Sequence, residues 1–232
     1  MKGYRLLTLG IIILTGTTLS TNSVKADEVN KAISKSYINF IADNGPTDPI
    51  DPINPDNSNP PKPIDSEDSD NKGTGNSGGL TLDYVSNIQF GTKKIVNGNT
   101  IYHAKNKNPF LQVSDKRGTE EGWTLKARAS ELKSEDGKVL TGAILSLRNG
   151  QVKSRSSNVS TPPITNDVVF DNNDAKLVMF TEVDTGRGTW INVFSGTDGD
   201  NSNAQLKVLG DSADTLTNYS TVITWELSNA PS

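Results

Sequence analysis

A single imidazole, a scatter of carboxylates and one Lys-Arg pair are what this chain offers for chemistry. His103 lies in TIYHAK, with no second histidine and no cysteine anywhere in the sequence. A zinc site needs three or four N, S or O ligands, and a Ser-His-Asp triad needs an imidazole held between two partners. His103 is therefore expected to be a solvent-facing strand residue. The stretch DGDNSN (198–203) superficially resembles a calcium loop. Asn203, however, stands where that loop turns on glycine, and Leu209 where it needs a bidentate glutamate. A hairpin turn is expected there. Two carboxylates can suffice for glycoside hydrolysis, and Asp115, Glu120, Glu121, Glu135 and Asp136 are the candidates, in loops such as every soluble β domain carries. No catalytic residue, metal or cofactor is expected, and the chain is expected not to be an enzyme. Lys116-Arg117, beside Trp123, is the better candidate for binding anionic groups, since a guanidinium holds a carboxylate bidentately. An ordinary charged turn is the alternative.

From Leu80 onward the chain runs in short alternating segments separated by turn residues, the sign of an all-β sandwich or barrel. Candidate strands are LTLDYV, NIQF, TIYHAK, FLQVSD, WTLKARAS, AILSLRN, AKLVMFTE, TWINVFSG, AQLKVLG and YSTVITWELS. Asn97-Gly98, Asp136-Gly137, Asn149-Gly150 and Asp198-Gly199 supply turn chemistry. No segment of helical period and useful length lies inside this domain, and residues 150–166 read as a long polar loop. The expected fold is a single antiparallel β-sandwich-like or barrel-like domain over residues 80–232. Two strands carry a Trp-x-Leu spacing. In WTLKARAS, Trp123, Leu125, Ala127 and Ala129 share a face; in YSTVITWELS, Tyr219, Thr221, Ile223, Trp225 and Leu227 share one. The spacers Thr124 and Glu226 then point outward, and the Trp-Leu pairs point inward. A buried Trp removes on the order of 200 Å² from water, so the motif is expected to be a core device, with a ligand-facing role as the alternative.

Upstream the composition changes. MKGYR followed by LLTLGIIILTGTTL and STNSVKA reads as a secretory signal peptide over residues 1–26, with small residues at Val24 and Ala26 before the cleavage point. Residues 27–45 hold a short apolar cluster of Ile33, Tyr37, Ile38, Phe40 and Ile41. Residues 46–79 repeat Asp-Pro-Ile, then turn to Ser, Asp and Gly. They are expected to form a disordered, acidic, Pro-rich spacer without apolar residues for a core. Acidic residues outnumber basic ones ten to four over residues 27–79 but only seventeen to sixteen over residues 80–232. The net acidity thus lies in the N-terminal segment, and no clustered basic surface suggests nucleic acid. A secreted chain without cysteine must be stabilised by buried apolar area alone, and about 150 residues is enough for that.

The secretory start, the acidic Pro-Asp linker, LTLDYVSNIQFGT, QVSDKRGTEEGWTLKA, GTW (ending at Trp190) and the terminal YSTVITWELSNAPS together resemble the WxL-domain surface proteins of Gram-positive bacteria. The resemblance runs from Leu80 to the end. It implies export and non-covalent attachment to the cell wall through peptidoglycan, in company with membrane-anchored WxL-interacting proteins. It also implies Trp123, Leu125, Trp225 and Leu227 as the motif residues, core or wall-binding, with Tyr219, Lys116, Arg117 and Trp190 as accessory positions. One departure is the acidic TEVD before Gly186, where the pattern suggests a small, basic stretch. No Leu-Pro-x-Thr-Gly signal or hydrophobic tail follows Ala230, which leads to the same expectation of attachment by binding. An adhesin for host matrix protein and a carbohydrate-active enzyme are the alternative functions. If the leader is cleaved as expected, intact-mass measurement of secreted material will give a chain beginning at Asp27, and a full-length chain would contradict it.

Overall fold

The computed structural model describes residues 31–229; the segment expected to be a signal peptide, residues 1–26, lies outside the described residues, as do residues 27–30 and 230–232. Two compact units are distinguished, residues 1–39 and 40–232. In the described part of the first, residues 31–39 form no helix or strand, and Ile33, Tyr37 and Ile38 are exposed. No helix among the described residues is long and apolar enough to cross a membrane.

The second unit is all-β and antiparallel, and its helical content among the described residues is a single 3-10 turn at Ser66–Asp68. Its strands are β1 (Leu80–Val85), β2 (Thr100–Ala104), β3 (Phe110–Asp115), β4 (Trp123–Ala129), β5 (Ile144–Leu147), β6 (Gln151–Lys153), β7 (Ile164–Thr165), β8 (Val168–Phe170), β9 (Lys176–Thr181), β10 (Gly188–Val193), β11 (Asn201–Val208) and β12 (Ile223–Ser228). They form three four-stranded sheets, ordered β1-β3-β10-β6, β2-β11-β5-β8 and β12-β4-β9-β7. All three contribute to one core: Leu111, Val113 and Trp190 from the first sheet, Leu145, Leu147 and Phe170 from the second, Trp123, Leu125 and Met179 from the third.

Three sequence expectations are corrected. NIQF is not a strand. Its backbone bonds instead to one residue and one side chain beyond β2, with Gln89 N–H donating to Asn106 Oδ1 (2.7 Å) and Lys105 N–H to Gln89 O (2.7 Å). The polar loop at 150–166 contains β6 and β7, short edge strands whose polar residues obscured them. Most important, part of the expected spacer, residues 46–79, packs against the domain. Ile50 is only 4% exposed and sits with Tyr84, Phe110, Ile191, Val193 and Ile64 in a second apolar cluster.

That cluster lies on the other face of the first sheet. Leu111, Val113 and Trp190 point to the main core, while Phe110, Gln112, Ser114 and Ile191 point to the Pro-rich strap by strand alternation. In β1 an irregularity between Leu82 and Tyr84 sends Leu82 to the main core and Tyr84 to the strap, where its ring stacks on Phe110 at 4.4 Å. The strap is read by its backbone. Ile50 N–H donates to Gln112 Oε1 (2.8 Å), and Gln112 Nε2 donates to Asp48 O (3.1 Å). Further along, Lys153 Nζ donates to Pro52 O (3.1 Å), Asn106 Nδ2 to Asp65 Oδ2 (2.8 Å), and Asn87 donates twice to the Asp68 carboxylate. The acidity of this segment is thus used in part to accept hydrogen bonds from the domain.

Beneath the strap lies a buried carboxyl. Asp83 accepts from Thr81 Oγ1 (2.6 Å), Ser114 Oγ (2.6 Å) and Gln112 Nε2 (3.0 Å). Burial nevertheless prevails and raises its pKa, with the three hydrogen bonds opposing. A carboxyl whose folded pKa lies above its unfolded value costs stability progressively as pH rises from the unfolded pKa to the folded one; the cost is constant above that window and absent below the ordinary carboxylate range. Asp83→Asn keeps the shape, and the Thr81 hydroxyl can turn to accept. Thermal unfolding should therefore show the variant gaining on the wild type as pH rises from about 4 to 8. A wild-type-to-variant difference that is flat over that range would contradict the assignment.

Candidate functional site

The two Trp-x-Leu segments, about a hundred residues apart in sequence, are neighbours in space. β12 pairs antiparallel with β4, placing Leu227 opposite Leu125 and Trp225 opposite Ala127. The two motifs therefore share one face of one sheet. Directly paired side chains in such a ladder lie about 5 Å apart at Cβ, and the small Ala127 leaves room for the Trp225 indole.

Their environments differ. β4 has neighbours on both sides, and Trp123 and Leu125 are both 0% exposed. β12 ends its sheet, and Ile223, Trp225 and Leu227 are only partly buried. One side of Trp225 borders a shallow apolar depression with Ile88, Pro109, Leu147 and Phe194. Alternation correctly separates the spacers from the core face, yet Thr124 is buried, whereas Glu226 is exposed and pairs with Arg128 (3.4 Å).

Trp123 also braces a loop. Its backbone N–H donates to Thr181 Oγ1 (2.8 Å), and its indole N–H donates to Gly186 O (3.2 Å). The Trp190 indole donates to the next carbonyl, Arg187 O, at 3.0 Å. Gly186 N–H donates to Thr161 O and Arg187 N–H to Ser160 Oγ, which ties the loop to residues 158–161. Both flanking glycines are required. Gly122 has φ +77°, and a Cβ there would meet the Thr181 and Glu182 carbonyls at 3.0 Å; a Cβ at Gly186, also at φ +77°, would overlap the Thr181 side chain.

A family model for the WxL domain, described as surface cell wall-binding, matches residues 27–231. The chain belongs to the WxL family. Neither a curated protein nor a solved structure gives a match. Membership supports a cell-wall-associated surface protein, and the matched span takes in the strap as well as the strands of this WxL domain.

The accessory positions are placed as follows. Trp190 is a buried core residue, and Tyr219 lies beside the core with its hydroxyl accepting from Asp214 N–H (3.1 Å). Lys116 and Arg117 do not form the open anion site that their sequence suggests. Arg117 makes a bidentate pair with the buried Asp115 (3.0 and 2.8 Å) and donates to Gly122 O (2.8 Å); hydrogen bonding to Asp115 raises its pKa. Lys116 Nζ is held by the Gly45 carbonyl and by Asp43. Their local role is to fix the turn that leads into Trp123.

The candidate carboxylates other than Glu135 are likewise occupied. Glu120 pairs with Arg187, Glu121 with Arg117 (3.4 Å), and Asp136 with Ser134 and Lys138. His103 Nδ1 lies 2.7 Å from Asp200 Oδ1. Among the described residues no group of three or more His, Cys, Asp or Glu is placed to hold a metal.

Arg187 was missed by motif reasoning. Its guanidinium is half exposed, at the tip of the loop that both indoles hold, and pairs with Glu120. A Gly-Arg-Gly two residues before Trp190 was the available signal. Given these environments, Trp123→Ala should cost roughly 3–5 kcal/mol, as large-to-small core changes do. Trp225→Ala should cost less, about 2 kcal/mol. Chemical denaturation of both variants checks the order, and equal losses would contradict it.

Proposed function

We propose that this WxL protein is secreted and non-enzymatic, and holds the cell wall non-covalently by binding peptidoglycan, alongside membrane-anchored partners at the cell surface. The observation that carries this reading is the braced loop. Two buried tryptophans donate their indole N–H groups to consecutive carbonyls, and that fixes an exposed arginine between two glycines. Arg187 pairs with Glu120 through one nitrogen, and the exposed remainder of the guanidinium suits carboxylates of the kind peptidoglycan carries on its muramyl groups and stem peptides. In this reading the motif residues Trp123, Leu125, Trp225 and Leu227 are the frame of the domain rather than its contact surface, and Arg187 makes the contact.

Co-sedimentation with purified peptidoglycan stripped of secondary polymers tests it. The wild type should pellet with the wall material. Arg187→Gln should stay in solution with an unchanged melting temperature. Failure of the wild type to pellet would reject peptidoglycan as the ligand; undiminished pelleting of the variant would reject the loop as the contact.

A further inference from the structure

The distal motif occupies an unfinished sheet. Ser130 N–H donates to Val222 O (2.9 Å), so the Val222 backbone faces β4. By strand alternation the backbone groups of Ile223, Trp225 and Leu227 face away from it, along an edge that no other strand among the described residues covers. The side chains of the same three residues face the core side and stop short of full burial, whereas Trp123, Leu125 and Ala127, one strand further in, are at most 1% exposed. A missing neighbour accounts for both facts. The β4–β12 register runs unbroken over six pairs, and β12 contains no proline. Bulges and prolines are the usual devices that discourage added strands at an edge.

The same polypeptide carries an unpaired segment of matching character. Tyr37, Ile38, Phe40 and Ile41 are 78–90% exposed, in a stretch without helix or strand. Tyr-Ile-Asn-Phe-Ile is rich in the aromatic and β-branched residues that strands favour. At ~3.3 Å per residue it is nearly as long as β12. With Ile38 and Phe40 on the inner face, it would cover Trp225 and Leu227, leaving Asn39 on the outer face beside Glu226.

We propose that the outer edge of β12 accepts residues 37–41 of a second copy as a fifth strand. Main-chain hydrogen bonds give the affinity, and the Trp225 surface selects the apolar side chains. Reciprocal exchange closes a two-fold dimer, and one-way exchange builds open chains.

Sedimentation velocity of the secreted chain over a concentration series tests this, with no wall material present, so its outcome is separate from that of the wall-binding reading. The wild type should self-associate. Asn39→Pro and Phe40→Asp, both in the exposed segment, should abolish association and leave the melting temperature unchanged. A synthetic peptide of residues 36–43 added to Asn39→Pro should shift tryptophan emission to the blue, and Trp225→Phe in that background should remove the shift. A wild type that stays monomeric throughout, association that survives Asn39→Pro, or a peptide without effect on emission would each overturn the proposal.

Discussion

The pairing of β12 with β4 is the contact on which the rest of the domain depends. It joins residues 223–228 to residues 124–129 and places one leucine of each motif directly opposite the other. β4 is then enclosed between β12 and β9, and Trp123 at its start, opposite Thr181 of β9, is fully buried. The buried indole in turn reaches Gly186 O and holds the loop that displays Arg187. A contact between the far ends of the domain thus sets the geometry of a surface loop. Such non-local pairing requires a long loop closure before its hydrophobic gain is realised, which slows folding and makes the final strand decisive for it.

The first sheet is constrained differently, because it is covered on both faces. The strap brings few apolar side chains, chiefly Ile50 and Ile64, but its carbonyls and carboxylates take hydrogen bonds from Gln112, Lys153, Asn106 and Asn87. Proline-rich chain suits this role. Its carbonyls are free to accept, its missing N–H groups need no partner, and its restricted φ lowers the entropy cost of laying it down. The acidic composition that suggested solvation is partly consumed in these contacts.

The all-β class and most of the strands were legible from alternation and turn residues. β1, β3, β4 and β10 lie where the pattern put them, and β12 begins at Ile223, four residues after the expected start at Tyr219. Three short strands were not: β6 and β7 are polar edge strands, and Val168–Phe170 was too brief to stand out. The spacer misreading is instructive. FLQVSD and TWINVF carry apolar residues at both parities, and a strand without clean alternation is one covered on both sides. The sequence therefore held a sign of the cover, although composition pointed elsewhere.

Residue types and period by themselves determined the fold class, the two Trp-Leu pairs and the face each presents. These properties are local, set by side-chain chemistry and the two-residue repeat of a strand. Which strand lies beside which, and therefore that Trp123 is enclosed while Trp225 stands at an edge, was decided only by the tertiary structure. So was the occupation of Lys116 and Arg117 by Asp43, Gly45 and Asp115. Two identical motifs have the same local pattern. Burial is a property of neighbours, and neighbours are chosen by packing across the whole chain.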